Sequence, residues 1–376
     1  MKAKFNRDAL LAAFQLAASV VPARSPRPVL VNVRLDVQAS GADGPQAVVT
    51  GTDLDTVGLR YQIAGVEVEE PGSVLLPAAQ TGAMLRELED LELTIAGSGK
   101  GVSVYAGESE FELPGEDPEA FPDIGTFSSD RYHQVAADVA GRLAERTVFA
   151  AAEESMRYAL TGVLWRAEGP KITLVATDGR RLAVAEGEGE VIGEHSTAGS
   201  SPVVPTRAMQ LLVRTLAGGA DPLQVYFVEN EAFFRIGRLT LIARLVEGRF
   251  PPYQEVFPKK WTTRVQVAAG ALHRAVRQAA IFADREQQGV TLRFAKNKLA
   301  VTAAGRERGR ARVELPVQLE GNSLEISFDP RFFTDFLRVL PEDQELVAEM
   351  TERESPALFR AGGDYQYLVM PLSIAA

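Results

Sequence analysis

Cysteine is absent from all 376 residues. That excludes disulfides, thiolate catalysis and cysteine-held metals together, and it fits a cytoplasmic protein. Histidine is scarce: His133, His195 and His273 are scattered, with no metal-ligand spacing. No phosphate loop, nucleophile elbow or dinucleotide fingerprint occurs, so no cofactor is expected. No apolar run approaches the roughly 20 residues that cross a bilayer. The start, Met1-Lys2-Ala3-Lys4-Phe5-Asn6-Arg7-Asp8, is charged where a secretory signal turns apolar, so no membrane role is expected. Positive charge is in deficit. Forty Lys and Arg face fifty Asp and Glu, a net charge of −10. On average that opposes tight nonspecific binding to phosphate backbones. An average hides distribution, however, and an acidic chain can still carry a basic wall.

What the chain does have is repetition. Val49-Thr50-Gly51-Thr52-Asp53-Leu54-Asp55 is answered by Leu174-Val175-Ala176-Thr177-Asp178-Gly179-Arg180-Arg181-Leu182, and more weakly by Leu299-Ala300-Val301-Thr302-Ala303-Ala304-Gly305. Each is an apolar strand ending in a small polar turn. Phe111-Glu112-Leu113-Pro114 through Ile124 is echoed by Ala243 through Tyr253, and the tail Tyr367 to Leu372 is a third copy. The copies lie about 120 to 130 residues apart, which is the size of a domain. Turn and proline signals at 122–127 and 250–258 place the boundaries, giving domains 1–125, 126–252 and 253–376.

Six segments carry helical periodicity: Asn6 to Val20, Ala78 to Leu88, Ala137 to Phe149, Thr206 to Leu216, Ala269 to Phe282 and Asp329 to Leu340. Asn6 and Thr206 are expected N-caps, and Asp329-Pro330 is a cap followed by proline in the first turn. The interval of about 60 to 70 residues makes each domain a doubled unit of one helix and several strands. Segments such as Val29 to Val37 and Arg293 to Val301 alternate apolar and polar residues, as antiparallel strands with one buried face do. The expected class is α+β: three similar domains with helices packed on antiparallel sheets.

At these residues the chain resembles the bacterial DNA polymerase III beta subunits, the sliding clamps. The resemblance rests on Gly51-Thr52-Asp53-Leu54, Met156 to Val163, Ala176 to Ala183, Glu247-Gly248-Arg249-Phe250-Pro251 with Tyr253, and Val369-Met370-Pro371-Leu372. These motifs occur in family order and spacing and span the chain. The resemblance implies a DNA-clamp fold. Two chains would form a closed six-domain homodimer ring, with the helices around a hole that passes double-stranded DNA. A clamp-loader ATPase complex would load the ring. The DNA polymerase III alpha subunit and other proteins with clamp-binding motifs would dock on it.

The same resemblance implies site residues. Leu160, Thr177, Gly179, Arg181, Leu182, Pro251, Val256, Met370, Pro371 and Leu372 would line a partner-peptide pocket between the second and third domains. Arg24, Arg142, Arg146, Arg207, Arg274 and Arg277 would face DNA. Phe111 and Leu113 would meet Ile281 and Phe282 of another copy at the dimer interface. Two departures stand out. Glu255 and Glu354 make the pocket rim more acidic than is usual. Arg306-Glu307-Arg308-Gly309-Arg310-Ala311-Arg312 replaces an acidic stretch of the family, with its arginines expected on one face of a strand.

Plainer readings remain beside these. Arginines decorate any solvated helix, isolated Leu or Val belongs to a core, and a charged strand guards a sheet edge. Asp53 with Asp55, or Asp178, is the acid–base alternative an enzyme would need, though aspartates at strand ends usually build turns. A repeat scaffold without DNA is a third class, since architecture does not fix function.

Overall fold

A computed structural model describes residues 1–41, 44–154, 159–283, 289–305 and 307–372. Met156, Arg157, Tyr158 and Arg306, which fall in segments quoted above, lie outside them. Six α-helices occur among the described residues: α1 (Arg7–Ala18), α2 (Ala78–Glu87), α3 (Ala137–Val148), α4 (Thr206–Leu216), α5 (Ala269–Ala280) and α6 (Pro330–Arg338). They pack in the pairs α1 with α2, α3 with α4 and α5 with α6. None is long and apolar enough to cross a membrane.

The helices follow their apolar stripes. Leu10, Phe14 and Ala17 of α1 are buried, as are Met209, Leu212 and Leu216 of α4 and Phe333, Phe336 and Leu337 of α6. The Asn6 side chain accepts from the Ala9 amide at 3.0 Å, and Asp329 accepts from the Arg331 amide at 2.9 Å, so both caps hold. Thr206 does not cap α4. It is the first helical residue after Pro205, and its hydroxyl donates to the Thr161 carbonyl at 2.9 Å.

Two strand expectations need revision. Pro28–Val31 forms a 3₁₀ turn and the strand begins only at Asn32, whose side-chain amide donates to the Pro28 carbonyl. Arg293 to Val301 is a hairpin, not one strand: Val290–Ala295 turns through Asn297, at a φ of 62°, into Lys298–Gly305.

By packing, the chain divides into two units. One comprises 1–136, 191–195 and 220–245, and the other 137–190, 196–219 and 246–376. The division cuts across the middle repeat because the seams between repeats are themselves hydrogen-bonded ladders. In the first unit Leu239–Arg244 pairs antiparallel with Val57–Ile63, setting Leu241 opposite Leu59 inside a nine-stranded sheet. In the second, Arg181–Glu188 pairs with Tyr365–Val369, setting Leu182 opposite Leu368 in another nine-stranded sheet. A five-stranded sheet completes the first unit and a four-stranded sheet the second. Gly51 is required by close approach, since a Cβ there would overlap the Ala17 carbonyl of α1.

The first unit also brings two histidines together, His133 buried and His195 half-buried. Nδ1 of His133 lies 2.6 Å from Nδ1 of His195, and the Phe227 amide points at His195 Nε2 at 3.4 Å. A ring that accepts at Nε2 must donate from Nδ1, so the pair bonds as two neutral imidazoles. Burial, and then the neighbouring His133, push the His195 pKa down to about 4. The unfolded ring takes a proton near 6.5, so the unfolded state binds more protons across the interval between. Stability is therefore full above about pH 6.5 and declines as the pH falls toward 4. We expect the thermal midpoint to drop between about pH 7 and pH 5, and the drop to shrink in His195→Gln. Equal slopes for the two proteins in pH-dependent calorimetry would refute this role.

Candidate functional site

The seam of the second unit carries an apolar cluster whose edge is only partly covered, and the turn at its end explains why. In Thr177-Asp178-Gly179-Arg180-Arg181, the Thr177 hydroxyl donates to the Arg181 carbonyl at 2.6 Å and accepts from the Gly179 amide at 3.1 Å. The Asp178 carboxylate accepts from the amides of Arg180 and Arg181 at 2.9 and 3.0 Å. Gly179 sits at a φ of 86°, where a side chain is strained. Arg181 then folds back. It donates to Asp178 at 3.0 Å and to Asp335 of α6 at 2.7 Å, and its guanidinium lies 4.7 Å from the Phe332 ring centroid. Thus Arg181 is a strut between the turn and α6.

The chain's end is fixed to that turn. The Met370 amide donates to the Arg180 carbonyl at 2.8 Å, and the Leu372 amide to the Ser327 carbonyl at 2.8 Å. Leu182, Phe250 and Leu368 belong to one buried cluster, with Val246, Tyr253 and Phe257 partly covered against it. Met370 and Val256 remain 40% and 50% exposed. Leu160, Pro251, Pro371 and Leu372 are half-buried, Thr177 is buried and Gly179 is exposed. Glu255 and Glu354 are exposed as well. Phe332 and Asp335 were not foreseen from the sequence, since their partner Arg181 lies more than 150 residues away.

The proposed acid–base pair does other work. In the first repeat the Asp53 carboxylate accepts from the amides of Thr56 and Val57, both at 2.8 Å, and the Thr52 hydroxyl donates to the Val57 carbonyl. Asp53 and Asp178 build equivalent turns. No cluster of three or more metal-ligating side chains occurs among the described residues.

The arginines divide. Arg24, Arg207, Arg274 and Arg277 are exposed and Arg142 is half-buried. Arg274 pairs with Glu342 at 3.2 Å across two highly exposed side chains, a contact worth little in water. Arg146 must be removed from the DNA-facing set. It is 6% exposed, pairs with Asp364 at 3.1 Å and lies over the Tyr365 ring at 5.0 Å. The Tyr365 hydroxyl donates to its carbonyl at 2.7 Å. One helical turn separates Arg142 from Arg146, and sequence alone does not say which of them turns inward.

The outer strands place the remaining residues. Phe111 and Leu113 lie half-buried on Ser109–Pro114, the last strand of the five-stranded sheet. Ile281 is 66% exposed, and Phe282 packs beside Gly309, the first residue of the outer strand Gly309–Pro316. On that strand Arg310 and Arg312 share an exposed face, whereas Arg308 falls in the preceding turn.

Profiles of the DNA polymerase III beta subunit match almost the whole chain: the N-terminal domain over 1–125, the central domain over 134–252 and the C-terminal domain over 254–373. The chain belongs to the DNA polymerase III beta subunit family. The beta sliding clamp of Escherichia coli strain K12 is 31% identical over 378 residues, covering all of both chains. The solved sliding clamp of Pseudomonas aeruginosa with ligand matches at a TM-score of 0.90 and 28% identity, again over both whole chains. The Bacillus subtilis clamp matches at 0.92 over both whole chains, with 24% identity, which speaks for the fold alone. Members of this family are processivity factors, not enzymes, and the chain's function is that of a sliding clamp.

Arg146→Ala should empty the buried site over Tyr365, while Asp364, 43% exposed, keeps its water. We expect a loss of roughly 1–2 kcal/mol in denaturant unfolding, against almost none for Arg207→Ala. Equal small losses in both variants would contradict the buried role.

Proposed function

We propose that two copies of this chain close head to tail into a ring around duplex DNA. The ring slides without reading bases and holds polymerases on the template through the seam groove. Its domains are 1–125, 126–252 and 253–376. Phe111 and Leu113 of one copy meet Ile281 and Phe282 of the other. Arg24, Arg142, Arg207, Arg274 and Arg277 touch phosphates, weakly enough to slide. A clamp-loader ATPase opens the ring. The alpha subunit of DNA polymerase III and other clamp-binding proteins insert short peptides against Leu182, Val256 and Met370.

The observation that most supports this reading is the apolar surface at the seam. Its exposed Met370 is tied by its backbone to the Asp178 turn, so an adaptable apolar side chain stands on a rigid base. An exposed methionine suits a surface that accepts several partner sequences. A cytoplasmic location belongs to the same reading, since the proposed partners are DNA and the replication proteins.

Topology supplies the test of the ring. Protein loaded by a clamp loader onto a nicked circular plasmid should stay bound through gel filtration and be lost when the plasmid is cut. Equal retention on circular and linear DNA would contradict encirclement.

A second test isolates the groove. Met370→Ala should weaken a fluorescent Gln-Leu-x-Leu-Phe peptide by about tenfold or more while leaving thermal unfolding within a degree or two. Unchanged affinity would move the docking site elsewhere.

A further inference from the structure

The seam of the first unit ends in the twin of the Asp178 turn, and it opens on a cleft of its own. The Arg244 amide donates to the Thr56 carbonyl at 3.0 Å, as the Met370 amide does to the Arg180 carbonyl, so Arg244 stands where Met370 stands. Gly58 opposite Ile242 takes the place of Leu182 opposite Leu368. Ile124 fills the space that Gly58 leaves, since a Cβ on Gly58 would come within 2.7 Å of its Cδ1. Ile124 and Ile242 line a cleft of about 350 Å³, within the size range of ligand sites. Leu54 and Val228 line it too, and they remain 37% and 46% exposed.

Two residues of this cleft stand where the chain elsewhere uses glycine. Leu54 has a φ of 70°, and its counterpart in the twin turn is Gly179. Glu229 opens the two-residue turn between Val228 and Glu231 at a φ of 48°. Gly107, Gly169 and Gly237 hold the same place in three other two-residue turns, at φ of 54°, 57° and 54°. A side chain at such a position strains the backbone and persists where the side chain itself has a use. Here one is apolar, the other is acidic, and both line the same cleft. The charge of the cleft is one-sided as well. Asp123, Glu229 and Glu231 line it against Arg244 alone. Glu229 and Glu231 take part in no ion pair among the described residues, and Asp123 reaches Arg60 only at 4.0 Å.

We infer that this cleft is a second docking site, and that it takes a short segment of a partner protein in which apolar side chains are flanked by lysine or arginine. The apolar anchor covers Leu54, Val228 and Ile124, and the flanking cations meet Glu229 and Glu231. Such exposed ion pairs are weak, so the anchor holds the segment and the carboxylates select it. The site lies within one copy and does not depend on ring closure. With glycine and arginine where the other seam has Leu182 and Met370, the two seams select different segments, and one chain can hold a partner at each.

The probes are three fluorescent peptides, Arg-Arg-Leu-Phe-Arg-Arg, Gln-Gln-Leu-Phe-Gln-Gln and Glu-Glu-Leu-Phe-Glu-Glu, titrated with the full chain in about 0.1 M salt. The arginine peptide should bind about tenfold more tightly than the glutamine peptide, and the glutamate peptide more weakly still. Unlabelled Gln-Leu-x-Leu-Phe peptide in excess should not displace it. Leu54→Gly and Glu229→Gly should each weaken it about fivefold or more, yet hold or raise the thermal midpoint, because glycine relieves the positive φ. A lowered midpoint with unchanged affinity would mean that both side chains serve the fold alone, and would overturn the site. So would an arginine peptide that fails to bind at about 1 mM, that binds no better than the glutamine peptide, or that Gln-Leu-x-Leu-Phe displaces.

Discussion

Edge-to-edge strand pairing is the interaction on which the rest of this structure depends. Each repeat offers its neighbour a strand, and the neighbour completes the ladder. Leu239–Ala243 meets Val57–Tyr61 in one unit, and Arg181–Ala185 meets Tyr365–Val369 in the other. Backbone groups that would otherwise face water are satisfied across the seam. The apolar side chains that alternate along the paired strands extend the core through it. Each large side chain so buried contributes about 1.5–3 kcal/mol. The seam is thus as strong as the interior of a repeat. That is why the two packing units cut through the middle segment and not at the turn and proline signals.

The proposed docking surface follows from the same pairing. A strand that ends at a seam must turn there, and the Thr-Asp turn makes the reversal with its own side chains. The two copies are chemically alike: threonine bonds across the turn and aspartate holds two successive amides. Both take a left-handed residue immediately after the aspartate, Leu54 at a φ of 70° and Gly179 at 86°. A non-glycine residue there costs on the order of 1 kcal/mol, so the second copy, with glycine, is the less strained. In the second copy alone Arg181 continues the turn into α6, and Met370 is anchored to it. Duplication supplied two similar turns, and a few later side chains made one of them a platform.

What the sequence revealed was local, and what it concealed was long-range. Helix stripes and the caps Asn6 and Asp329 depend on neighbours within one turn, so all six helices could be located within about two residues. Thr206 failed as a cap because its hydroxyl bonds Thr161, 45 residues away. Arg146 failed as a DNA contact because Asp364 lies 218 residues away. Val29 to Val31 opens the run that alternates on to Val37, yet the proline before it favours a 3₁₀ start. For the groove, the Thr177 to Leu182 motif and the Met370 tail were legible as a repeat and a resemblance. The support that Phe332 and Asp335 give Arg181 was not, since nothing in their own neighbourhood announces it.

None of the ten residue pairs of the two internal seams sets one charged side chain opposite another. Those seams join segments of one chain, whose effective concentration for each other is high and whose order along the chain already excludes wrong partners. They need only fit, so alternating apolar side chains and backbone hydrogen bonds are enough to make them.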